Sequence, residues 1–146
     1  MDDLSPLGRV LRGIAMVIAT GTVQVMAQLA LSRLMDVIPT PKRSTHQTSY
    51  MILHSVLAVL VLMTGHALQV TMWALLYYDW GELGSFAHSF YFSLASFTTL
   101  GANDLTLSNG HRIAGAVESA VGMLMFGWST ALLVRVVQRT DRDYEK

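Results

Sequence analysis

No cysteine occurs in the 146 residues, so a disulfide framework and thiolate metal sites are excluded. Charge is scarce as well. Asp, Glu, Lys and Arg make up 14% of the chain, too little for an ordinary small soluble domain. The ten basic and ten acidic residues cancel, and a formal net charge of zero gives no reason to expect a nucleic-acid partner. Of only three prolines, two fall close together at Pro39 and Pro41. No nucleophile–base pair or ligand cluster of the His-Glu-x-x-His kind is present, so the chain does not read as an enzyme. There is no internal repeat and no low-complexity tract.

What is present is apolar: 52% of the residues are hydrophobic and the mean hydropathy is +0.42. These residues fall in three blocks, at about 10–35, 50–78 and 112–138, each long enough to cross a bilayer. The first block reads as a retained span and not as a cleaved leader. Its start, Met1-Asp2-Asp3, is acidic, and it runs through Leu29-Ala30-Leu31 without a small-x-small cleavage site. Pro39 and Pro41 end that helix and open a linker over residues 39–44. Ser49 is the expected N-cap of the second block. Trp73, Tyr77, Tyr78 and Trp80 close that block and read as an aromatic belt at the outer interface. Gly81 and Gly84 interrupt the helix, and Ser85 is placed to cap a short helix over 86–97.

The basic residues set the expected topology. Arg33, Lys42 and Arg43 cluster between the first two blocks, and Arg135, Arg139, Arg142 and Lys146 cluster at the far end. The positive-inside rule puts both clusters in the cytoplasm. The segment carrying Asp79, Glu82 and Asp104 then lies outside, with the N-terminus outside and the C-terminus cytoplasmic. The expected location is a membrane, read as the bacterial inner membrane.

Several polar residues interrupt the apolar blocks. Glu118 sits within the third, where a carboxyl is costly, and is read as a brace paired with Ser93, Ser96 or Ser119. His54 and His66 lie about 120° apart around the second helix, so one chain does not offer them as a metal pair. Gln24 and Gln28, one turn apart, suit contacts from the first helix to a neighbour. His88 reads as a buried hydrogen-bonding residue of the short helix. The first helix carries no regular ladder of arginines, so it does not read as a voltage sensor.

Residues 91–105 read Tyr-Phe-Ser-Leu-Ala-Ser-Phe-Thr-Thr-Leu-Gly-Ala-Asn-Asp-Leu. A short aromatic-rich stretch runs into Thr98, Thr99, Leu100 and Gly101 and ends on Asp104, between two spans. This resembles the re-entrant pore loop of the potassium-channel superfamily, whose filter reads Thr-Val-Gly-Tyr-Gly-Asp. The aligned residues here are Thr99, Leu100, Gly101, Ala102, Asn103 and Asp104, so the tyrosine and the second glycine are missing. Arg112, Gly122 and Gly127 reproduce the family spacing from the start of the inner helix to two glycines five residues apart. The resemblance, to a small bacterial two-transmembrane-type channel, covers about residues 50–138. The first helix and its linker are extra.

The resemblance implies an all-α membrane protein: three transmembrane helices, a re-entrant pore helix and a filter loop. Residues 1–49 form an N-terminal helix and linker, and residues 50–146 a pore domain. Within the latter, the outer helix is 50–78, the pore helix 85–98, the filter 98–104 and the inner helix 112–138. A single loop supplies too few oxygens to strip an ion of its water, so the pore is a homotetramer. Leu100 is expected to turn back into the supporting shell, and Gly101 to adopt the dihedrals that aim carbonyls inward. Met123, Phe126, Thr130 and Val134 are expected to line the inner cavity, with Gly122 and Gly127 as hinges. Ala102 cannot brace the outer half of the filter as a tyrosine does. The expected function is therefore a cation channel passing K+ and Na+ with weak potassium selectivity. The expected partners are other copies of the chain and membrane lipid, with no cofactor beyond permeant cations. A second function class keeps the tetramer as a non-conducting scaffold or partner subunit.

Overall fold

A computed structural model describes residues 6–38, 47–102 and 104–145. The described chain is all helical, with no strand: α1 (Pro6–Val37), α2 (Gln47–Asp79), α3 (Phe86–Phe97) and α4 (Arg112–Glu145). Three helices are long and apolar enough to cross a membrane, over Val10–Val37, Thr48–Asp79 and Arg112–Arg139. The 12 residues of α3 extend only about 18 Å, short of the hydrocarbon core. The linker at 39–44 and Asn103 lie outside the described residues.

Helices α1 and α2 extend a few residues past the sequence boundaries at each end, and α4, which starts at Arg112 as expected, runs on to Glu145. Ser49 is therefore not a cap: it lies inside α2, which already begins at Gln47. The signals around α3 are stronger. Gly81 and Gly84 take φ +68° and +70°, a region that favours glycine, and so turn the chain out of α2. Ser85, extended at φ −144°, then accepts a hydrogen bond from the His88 amide at 3.2 Å and starts α3.

The helices pack around α2, which meets all three others. One cluster joins Leu31 and Met35 of α1, Ala58 and Leu62 of α2, and Leu132 and Val136 of α4. A second cluster, of Trp73, Tyr77, Leu83, Phe92 and Leu107, ties α3 and both flanking loops to the end of α2. Trp73 and Tyr77 are fully buried here, so the expected aromatic belt is in part core. Trp73 and Tyr77, four residues apart, share the inward face of α2, and Trp80, just past its end, packs against the same cluster, whereas Tyr78 points away and is exposed. Ion pairs join the helix ends: Arg12 to Asp79 at 3.9 Å, and Arg139 to Asp36 at 2.7 Å.

Candidate functional site

The loop after α3 departs from regular structure within four residues. Thr98 caps the helix in a helical conformation, with its amide bonded to the Leu94 carbonyl at 3.1 Å and its hydroxyl to the same oxygen at 2.7 Å. Thr99 takes φ +60°, left-handed for a β-branched residue, which the surrounding structure must enforce. Gly101 follows at φ +79°, and its amide reaches back to the Ala95 carbonyl at 3.0 Å. The chain thus doubles back over the C-terminal end of α3, where the helix dipole concentrates partial negative charge.

Thr98, Thr99, Leu100 and Gly101 are all exposed in the single chain. Leu100, expected to point into the supporting shell, is 77% exposed in the single chain. The turn set by Thr99 and Gly101 on either side swings it outward. Ala102 is partly buried against the Trp73–Tyr77–Phe92 cluster. Asp104 is exposed, and the position of Asn103 lies outside the described residues.

Behind the loop, a buried polar cluster fastens α3 to its neighbours. The fully buried Glu118 of α4 lies 2.5 Å (Oε1) from Ser93 Oγ of α3 and accepts from Tyr77 Oη of α2 at 2.7 Å (Oε2). Ser93 Oγ is also 2.8 Å from the Val70 carbonyl oxygen. Of the partners expected for Glu118, Ser93 is in place. Ser96 and Ser119 bond to each other, through the Ser119 hydroxyl and the Ser96 carbonyl at 2.8 Å. Tyr77 was missed because its place among aromatics near a helix end looked interfacial. Its spacing of seven residues from Val70 was the available signal that it turns inward.

On α4, the buried stripe is Val121, Gly122, Met125, Ser129, Leu132 and Val136. Met123, Phe126, Thr130 and Val134 lie on the opposite, exposed face. Gly122 has a packing role whatever its mobility. A Cβ there would fall on the Phe97 carbonyl oxygen and 2.9 Å from its carbon. Gly127 is exposed, with nothing within 4 Å of its notional Cβ. Phe126 packs edge-on against Phe97 with ring centroids 5.5 Å apart.

His88, expected to be buried, is exposed, although its Nδ1 lies 3.2 Å from the Leu83 carbonyl. The loops around α3 hold a latch that the sequence analysis did not single out. Glu82 accepts from the Ser108 amide at 2.6 Å, the Ser108 hydroxyl at 2.8 Å and His111 Nδ1 at 2.6 Å. The His111 ring stacks on Trp80 at 4.2 Å. Partial burial opposes ionisation of Glu82, but the bonds from Ser108 and His111 outweigh it and hold its carboxyl below the usual carboxylate range. The latch joins the α2–α3 connection to the segment entering α4. No group of three or more His, Asp or Glu residues fit to hold a metal occurs among the described residues.

A short helix held between two spans, with an exposed, doubled-back loop at its end, defines a helical membrane protein of the channel type. The sequence pattern of the family described as Ion channel matches residues 50–139, more than half of the chain. The chain therefore belongs to this ion channel family, of the two-transmembrane potassium-channel type. Comparisons with characterised proteins and with solved structures found no match.

Proposed function

We propose that four copies of this chain form a pore for monovalent cations, K+ and Na+, with α3 as a re-entrant pore helix and residues 98–104 as the filter. The observation that carries this reading is the exposed run Thr98–Thr99–Leu100–Gly101 at the C-terminal end of α3. Such a run of non-helical backbone at membrane depth is tolerable only when it faces other protein or water. In a fourfold ring the four runs meet, and the four α3 dipoles favour a cation on the axis.

The exposed stripe Met123, Phe126, Thr130 and Val134 then lines the cavity below, and Gly122 and Gly127 are the positions where α4 bends. Glu118 braces the filter from behind through α3. Residues 50–146 form the pore domain and residues 1–49 its added helix and linker. The N-terminus lies outside and the C-terminus in the cytoplasm of a bacterial inner membrane, by the basic clusters at both cytoplasmic-side ends.

Weak discrimination between K+ and Na+ is expected because Ala102 and Asn103 stand where the family has a tyrosine and a glycine. The test is reversal potential in mixed K+, Na+ and Cs+ salts, using purified protein in liposomes. Permeability ratios within about an order of magnitude support an altered outer filter. A potassium preference of order a hundredfold rejects weak selectivity. A tetramer that passes none of the three cations supports a non-conducting scaffold instead.

A further inference from the structure

Six polar side chains meet in the apolar interior where α1, α2 and α4 touch. Thr20 and Gln24 come from α1, His66, Gln69 and Trp73 from α2, and Ser129 from α4, and all are buried. Four of them close a ring. Gln69 Nε2 lies 3.1 Å from Gln24 Oε1, and Gln24 Nε2 lies 2.9 Å from Ser129 Oγ. Ser129 Oγ lies 3.0 Å from His66 Nε2, and His66 Nδ1 lies 3.1 Å from Gln69 Oε1.

One backbone atom of α1 fixes the direction of three of the four bonds in this ring, and the fourth follows for a neutral imidazole. The Thr20 carbonyl lies 3.3 Å from Gln69. A carbonyl only accepts, so the Gln69 atom facing it must be the amide nitrogen. Gln69 Oε1 then faces His66 Nδ1 and needs a proton there. The Gln69 amide also donates to Gln24 Oε1, which leaves the Gln24 amide to donate to Ser129. The Ser129 hydrogen is thereby free for His66 Nε2, which accepts it in the neutral ring. The Trp73 indole donates to Thr20 Oγ1 at 3.1 Å and clamps the same turn of α1.

The imidazole so fixed touches two phenyl rings beside the path proposed for ions. Its centroid lies 4.9 Å from that of Phe126 on the cavity-facing stripe. It lies 5.9 Å from that of Phe97, the last residue of α3 before the filter. Phe97 in turn sets the floor that Gly122 must clear.

We propose that α1 is a positioning element of the pore: through the Thr20 carbonyl it locks His66 as the Nδ1–H tautomer and holds that ring against Phe97 and Phe126. The permeation half of this inference rests on the channel reading above; the tautomer half does not. Gln24, Gln69, His66 and Ser129 are thus positioning residues, acting on the filter and cavity through two phenyl rings.

The experiment uses the full chain in liposomes with 15N-histidine, read by solid-state NMR, with His66→Gln to assign the signal. In the wild type, His66 is expected to show a protonated Nδ1 and a bare Nε2. Gln69→Leu removes the acceptor at His66 Nδ1 together with the link to the Thr20 carbonyl, and is expected to lose that single tautomer. Gln24→Leu and Ser129→Ala leave the Thr20–Gln69–His66 chain in place and are expected to keep it. Cation flux in the same liposomes is expected to change by about threefold for each interhelical bond removed. Ser129→Thr, which keeps the hydroxyl, is expected to retain both properties. Should Gln69→Leu fail to fold, the wild-type spectrum carries the same test. An Nε2–H tautomer in the wild type overturns the lock, as does an unchanged spectrum in Gln69→Leu. A changed tautomer with unchanged flux overturns the link to the pore. Wild-type protein that passes no cation refutes the channel reading, while its spectrum still decides the lock.

Discussion

At Gly122 the contact with α3 leaves no room for a side chain, whereas at Gly127, five residues on, the space is open. The two glycines, equal as hinge candidates in the sequence, are separated by this. A methyl at Gly122 meets backbone, which cannot swing aside, so Gly122→Ala is expected to cost about 1–3 kcal/mol of stability. Gly127→Ala is expected to leave the melting temperature close to that of the wild type. Equal loss in both variants, measured by thermal unfolding in detergent, would remove the packing argument. Glu118 is governed by donor arithmetic. Ser93 has one hydroxyl hydrogen but two oxygen neighbours, the Val70 carbonyl and Glu118 Oε1. A side chain that can donate to Ser93 and accept from Tyr77 satisfies all of them. Glu118→Gln supplies both and is expected to preserve thermal stability and flux. Glu118→Ala strands the buried Tyr77 hydroxyl, at about 1–3 kcal/mol, and is expected to loosen α3. Unchanged stability and flux in Glu118→Ala would show that the brace carries nothing.

At the scale of elements, α3 is held by two different devices. On its inner side the Glu118 cluster and the Phe92 and Phe97 rings fix it to α2 and α4. On its outer side the Glu82 latch ties the loop before α3 to the loop after it. The latch has a definite pH dependence. The Glu82 carboxyl has a lowered pKa in the folded protein. The unfolded chain therefore binds the extra proton first as pH falls, and the stabilisation is complete at neutral pH. It disappears as pH drops through the depressed folded value, below the usual carboxylate range. Thermal midpoints of wild type and Glu82→Gln measured from pH 7 downward are expected to differ at neutral pH and converge in acid. Parallel curves throughout would show that the Ser108 and His111 contacts contribute nothing.

For the whole molecule, the surface left open by one chain carries the strongest expectation. The loop at 98–101 and the Met123–Val134 face are both exposed while the interior behind them is closely packed. A fourfold assembly covers both at once, since a ring of four places loop and cavity stripe on one axis. Native mass measurement or crosslinking in mild detergent is expected to give tetramers. Monomers or dimers alone would argue against the proposed pore, whatever the local geometry. Helix α1, outside the family match at 50–139, belongs to the same packed body through its contacts with α2 and α4.

Long apolar runs dictate helices at membrane depth because the backbone has no other way to satisfy its hydrogen bonds there. The three spans, the break at Gly81 and Gly84 and the Ser85 cap were legible for that reason, and so was the family, from residues 91–105 with Gly122 and Gly127. What only the tertiary structure decided is which polar residues find one another. Tyr77 and Glu118 are 41 residues apart, Gln24 and Ser129 105 apart, and Glu82 and His111 29 apart. Local periodicity places a residue on a face of its own helix but carries no register between helices. That register follows from how closely α4 approaches the end of α3 at Gly122, and α1 approaches α2 where the Gly65 Cβ would lie 3.2 Å from Ala27. The outward turn of Leu100 was likewise hidden, because it depends on the paired left-handed conformations of Thr99 and Gly101 over the end of α3.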